Sequence, residues 1–91
     1  MLEEIKKIQG INHNEFDSII NDYLISAELD LKAVGISITK IKKNDCLIKT
    51  AKISYVLSLL DIPNSAMWSK SYALQKDALR RNIYYMENNG L

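Results

Sequence analysis

Eight apolar residues between Phe16 and Val34 fall on one line of a helix. Phe16, Ile19, Ile20, Tyr23, Leu24, Ala27, Leu31 and Val34 stand at offsets 0, 3, 4, 7, 8, 11, 15 and 18. A spacing of three and four over five turns suits an α-helix with one face on a core and excludes a strand, whose apolar residues alternate. The stripe predicts a helix from about Asn12 or Asn14, either of which can cap it, to Val34, where Gly35 ends it. Ile25 and Leu29 lie nearly opposite the stripe, beside Ser18 and Asp22. Two apolar residues there fit either scattered surface side chains or a contact with another subunit.

The rest of the chain reads as helical too. Leu2, Ile5 and Ile8 recur every third residue ahead of Gly10, predicting a short helix over Leu2–Gln9. Asn44 can cap a helix over Asp45 to about Leu60, whose apolar residues spread around much of its circumference. Such a helix is central to its bundle or shared with a partner. Its polar strip is Thr50, Ser54 and Ser58, and the turn Asp61-Ile62-Pro63-Asn64 follows because Pro63 cannot continue it. A long last helix is predicted from Ser65 to about Glu87. Trp68, Tyr72, Gln75, Leu79, Ile83 and Met86 make one packing stripe, and Met67, Leu74, Ala78 and Tyr85 a second about a quarter-turn away. Between the second and third helices, Ile36, Ile38 and Ile41 among Ser37, Thr39, Lys40, Lys42 and Lys43 predict a basic extended loop or very short hairpin. The expected fold is an all-α bundle of one short and three longer helices, a single domain over residues 1–91 with 88–91 fraying.

Composition narrows what such a bundle can do. A 91-residue chain hides only about two-thirds of its unfolded surface, so a shielded cleft is hard to build from one copy. One Cys excludes a disulfide framework, and the lone thiol fits a reducing compartment. No signal-like or membrane-length apolar run is present, so a soluble, intracellular protein is expected. His13 has only Glu15 and Asp17 as conceivable metal partners and reads as a solvated loop residue. Cys46 reads as a small buried residue. The three glycines are isolated, and no phosphate loop, nucleophile–base pair or converging carboxylates appear. The expectation is no enzyme, no cofactor and no metal.

The net charge of +1 conceals an asymmetry. Met1–Val34 carries three basic and seven acidic residues, net −4, and Gly35–Leu91 nine basic and four acidic, net +5. Two solvated faces of opposite sign would produce this, and so would a subunit whose acidic side meets a neighbour's basic side. Two basic features stand out: the loop Lys40, Lys42 and Lys43, and the last helix with Trp68, Tyr72, Arg80, Arg81, Tyr84 and Tyr85. Solvated charge is the plain reading of each; contact with another protein is the next, because Tyr, Trp, Met and Arg are enriched at interface cores. A DNA-binding regulator is the competing reading of these cations, but the third helix is too apolar for a recognition helix.

The order of residues resembles the head–tail connector proteins of tailed bacteriophages, also called head-completion or adaptor proteins. The resemblance is carried by Leu2-Glu3-Glu4-Ile5-Lys6-Lys7-Ile8, Gly10-Ile11, and Asn14-Glu15-Phe16-Asp17 with Ile19-Ile20 and Tyr23-Leu24. It continues through Leu31 to Gly35-Ile36, Asp45-Cys46-Leu47-Ile48 with Ala51 and Tyr55-Val56, and Ser71-Tyr72-Ala73-Leu74-Gln75-Lys76 with Leu79. Cys46 stands where such proteins often carry a proline, and the chain after Leu79 has little to match. The resemblance implies a helical virion subunit that forms a ring of about a dozen copies. The ring docks on the portal after DNA packaging, extends the DNA channel and offers a surface to a tail or stopper protein. DNA passes without being read. It implies no catalytic residue and no cofactor. Ile25, Leu29, Lys40, Lys42, Lys43, Arg80, Arg81, Tyr84 and Tyr85 are then the candidate subunit or portal interface. A helical interaction module, such as a homodimeric adaptor, is the alternative.

Overall fold

The computed structural model describes residues 1–87, so the expected fraying of 88–91 lies outside the described residues. Five α-helices follow one another: α1 (Leu2–Gln9), α2 (Asp17–Ala33), α3 (Ile38–Lys43), α4 (Cys46–Leu60) and α5 (Ser65–Arg80), with a 3-10 turn over Ile62–Asn64 between the last two. The all-α expectation holds. The bundle measures 46 × 23 × 19 Å. α4 is the central element, packed on α5 along its length and on α2. Its inward residues Ile48, Ala51, Val56 and Leu57 are fully buried.

α1 ends as expected at Gly10, whose φ of 70° suits a residue without a Cβ. The next helix starts later than expected. Lys6 Nζ donates to Asn14 Oδ1 at 3.0 Å, which draws the Asn14 side chain onto α1 and away from a capping position. α2 therefore begins at Asp17, and Phe16 and Ile19 fall outside the core as exposed residues. Ile20, Ala27 and Leu31 carry the buried stripe.

Residues 36–43 depart from the expected loop or hairpin. Ser37 starts α3, which buries Ile41 and closes on Asn44 in the left-handed region with φ 56°. The period-two reading of Ile36 and Ile38 fails because only Ile36 is extended. It forms an isolated antiparallel bridge with Met86, where Ser37 N–H donates to Tyr85 O and Glu87 N–H to Gly35 O. Gly35 has φ 94°, and a Cβ there would stand 2.9 Å from Met86 Cε. Because Asn44 closes α3, α4 is capped one residue later: Asp45 Oδ1 accepts from Leu47 and Ile48 N–H, both at 3.1 Å.

α5 stops at Arg80 rather than about Glu87. Asn82 breaks it: its N–H donates to Leu79 O, its Oδ1 accepts from Tyr84 N–H, and its carbonyl accepts from Tyr85 N–H. An Asn side chain that bonds locally offers the backbone an alternative to the helix. The segment from Asn82 to Glu87 folds back over α3 and α4 and turns Tyr85 and Met86 inward. Ile83, placed in a packing stripe by helical spacing, is 87% exposed.

Candidate interaction surfaces

The refolded end of the chain brings the two basic features together. Lys40 Nζ sits 3.7 Å from the centroid of the Tyr84 ring, a cation–π contact between α3 and the terminal segment. Tyr85, unlike Tyr84, is buried within the chain. It is 5% exposed, packs edge-on to Tyr84 at 4.9 Å, and donates its hydroxyl to Asp45 Oδ2 at 2.8 Å. The Ile48 amide, with Tyr85 and the Leu47 amide, holds the Asp45 carboxyl below the usual carboxylate range. Burial and then Asp45 push the Tyr85 phenol up to about 12.

Several of the other candidate cations have partners within the chain. Lys42 reaches Glu28 at 3.0 Å, and Arg80 and Arg81 share Asp77 at 2.6 and 3.0 Å. Lys43 is exposed. The acidic front and basic back meet inside the molecule: Glu4 holds Lys49, Glu28 holds Lys42 and Lys52, and Asp30 holds Lys76 and accepts from the Tyr72 hydroxyl. Much of the asymmetry is thus intramolecular complementarity between α1–α2 and α3–α5.

The most buried of these cations is one that sequence reasoning passed over. Lys52 is 1% exposed, donates to Glu28 Oε2 at 2.8 Å and to Ile41 O at 3.3 Å, and so joins α4 to α2 and α3. Desolvation pushes the Glu28 carboxyl up. Hydrogen bonds from Lys52 and Lys42 outweigh it, so the group sits below its ordinary value. A lysine on a helix that is apolar on several sides was the available signal.

Two outward faces are apolar. Ile25 and Leu29 stand 56% and 63% exposed on the side of α2 away from the core. On α5 the second stripe is outward as well: Met67, Leu74 and Ala78 are exposed. Ala78 leads into a cleft of about 190 Å³ between α4 and α5, lined by Leu47, Thr50, Gln75, Ala78, Leu79, Asn82 and Tyr85. Its walls can take an apolar side chain from another molecule. Gln75 Oε1, at its edge, is buried without a donor.

Among the described residues, reactive side chains do not converge. His13 is exposed, and its Nδ1 accepts from Glu15 N–H at 3.3 Å. Cys46 is exposed in the first turn of α4, against the expectation of a buried residue, because Ile48 and Ala51 set the buried face and Cys46 lies on the other side of the helix. Among the described residues no three His, Cys, Asp or Glu side chains come together to hold a metal ion, and no helix is long and apolar enough to cross a membrane. No family model, curated protein or solved structure matches the chain.

Proposed function

We propose that the chain is a structural subunit of a bacteriophage head–tail connector. Copies associate into a ring on the portal, extend the DNA channel and present a surface for a tail or stopper protein. The observation that carries the reading is the resemblance between Leu2 and Leu79, whose matched residues fall in α1, α2, α4 and α5. The outward apolar stripe of α5 and the adjoining cleft support it, since a ring subunit buries more than its own core. The lumen needs no sequence-reading element, and tight phosphate binding would hinder DNA passage.

Co-sedimentation with portal assemblies tests the reading. Saturable binding at a fixed number of subunits per portal is the expected result. Loss of that binding in Leu74→Glu, whose side chain is exposed, would locate it on α5. No binding of the wild-type chain to portal assemblies under any condition would overturn the proposal. A portal and capsid gene upstream with tail genes downstream would be the expected gene neighbourhood.

A further inference from the structure

The outward face of α2 is complementary to its own reverse. Asp22, Ile25, Leu29 and Lys32 lie on one stripe, at spacings of three, four and three, and all four are exposed. The stripe runs acidic, apolar, apolar, basic. Laid antiparallel on a second copy about a two-fold axis, each Asp22 meets Lys32 of the other copy, and each Ile25 meets Leu29. A two-fold contact requires a surface complementary to itself, and this one is so in charge and in apolarity. In a parallel arrangement the same residues would set Asp22 on Asp22 and Lys32 on Lys32.

The charges at the two ends are free to act this way. Asp17, Glu28 and Asp30, the other acidic residues of α2, are each paired inside the chain. Asp22 and Lys32 have no ion-pair partner among the described residues. Between them stand two of the larger exposed aliphatic side chains of the molecule. Their opposite side, Ala27 and Leu31, is fully buried against the core, so the helix cannot turn to hide them.

We infer that the free protein pairs with a second copy of itself through α2, as an antiparallel two-fold dimer. α2 is about 25 Å long, and one helix face covers less than the roughly 800 Å² per partner of a standard interface. The dimer is therefore weak and concentration-dependent. It leaves α5 and the cleft uncovered, so it stands or falls independently of the connector reading and of portal binding.

Sedimentation velocity over a concentration series, with the full chain, tests it. Wild type shifts from monomer to dimer and no further through α2. Leu29→Glu weakens the dimer by about tenfold or more, with unchanged helicity by circular dichroism. Asp22→Lys and Lys32→Asp each weaken self-association, because each puts like charges opposite one another. Mixed together, the two charge variants recover a one-to-one heterodimer. The lysine introduced in one then meets the aspartate introduced in the other, and the unaltered Lys32 and Asp22 meet at the opposite end. The inference is overturned by a wild type that stays monomeric up to about 1 mM. It is equally overturned by a dimer indifferent to Leu29→Glu, or by charge variants whose mixture associates no better than either alone.

Discussion

Lys52 Nζ lies 2.8 Å from Glu28 Oε2, and this one bond ties the central helix to α2 beneath a lysine that water scarcely reaches. Removing Glu28 strands the lysine charge in the interior, whereas replacing the lysine by an apolar chain of similar length leaves a carboxylate that is partly exposed and still paired with Lys42. Glu28→Ala is expected to cost about 2 kcal/mol, below the full figure for a buried pair because Glu28 is itself partly exposed. Lys52→Met is expected within about 1 kcal/mol of wild type, since Glu28 keeps Lys42. Urea unfolding midpoints of the two variants compare them directly. A Lys52→Met loss larger than that of Glu28→Ala would contradict the assignment.

Asp45 serves two elements at once, capping α4 with one oxygen and receiving Tyr85 on the other. Asp45→Ala is expected to lose about 1 kcal/mol for the cap. It should also loosen the terminal segment. Amide hydrogen exchange reads the second effect: Ser37 and Glu87, whose N–H groups make the bridge with that segment, should exchange faster. Protection unchanged at Ser37 and Glu87 would show that Tyr85 is held by packing alone.

Alkaline pH should unfold the protein through its tyrosines. The Tyr85 phenol is raised to about 12 by burial and then by Asp45, and Tyr72 is raised by burial and then by Asp30. An unfolded tyrosine ionises near pH 10, so above that value the unfolded chain sheds protons that the folded chain keeps. Stability is full below about pH 10 and falls as pH rises toward about 12. Tyr85→Phe, measured by thermal melts across this window, should show a shallower decline. An identical slope in wild type and variant would remove Tyr85 from the account.

Acid acts in the opposite sense. Glu28 and Asp45 are both held below their ordinary values, so their stabilisation is present above the usual carboxylate range. It is lost as pH falls through and beneath that range. Thermal melts at decreasing pH should show wild type losing stability more steeply than Asp45→Asn, which has no charge to lose at that position. Equal steepness would assign the acid sensitivity elsewhere.

What the sequence made legible was periodic. The α2 stripe, the central α4 and the outward pair Ile25 and Leu29 all follow from the 3.6-residue repeat, which local spacing records. What it hid was competitive. Asn14 had the chemistry of a cap, but Lys6 from another helix took its side chain. Ile83 and Met86 kept helical spacing, yet Asn82 turned the backbone before it reached them. Tyr85 stood in a helical stripe and among the interface candidates, until that turn aimed it at Asp45, 40 residues earlier. The partners of Lys52 are likewise far apart in the chain, beyond what spacing can encode.

Tyr55 packs against both apolar clusters, the one around Leu31, Ile48 and Tyr72 and the one around Ile5, Ile20 and Leu57. Its ring also meets Tyr72 edge-on at 5.1 Å. In a molecule twice as long as it is wide, Tyr55 couples the two clusters along the helices α2, α4 and α5 that run through both. Cut back to alanine, the clusters are coupled by the helices alone, and thermal unfolding should broaden.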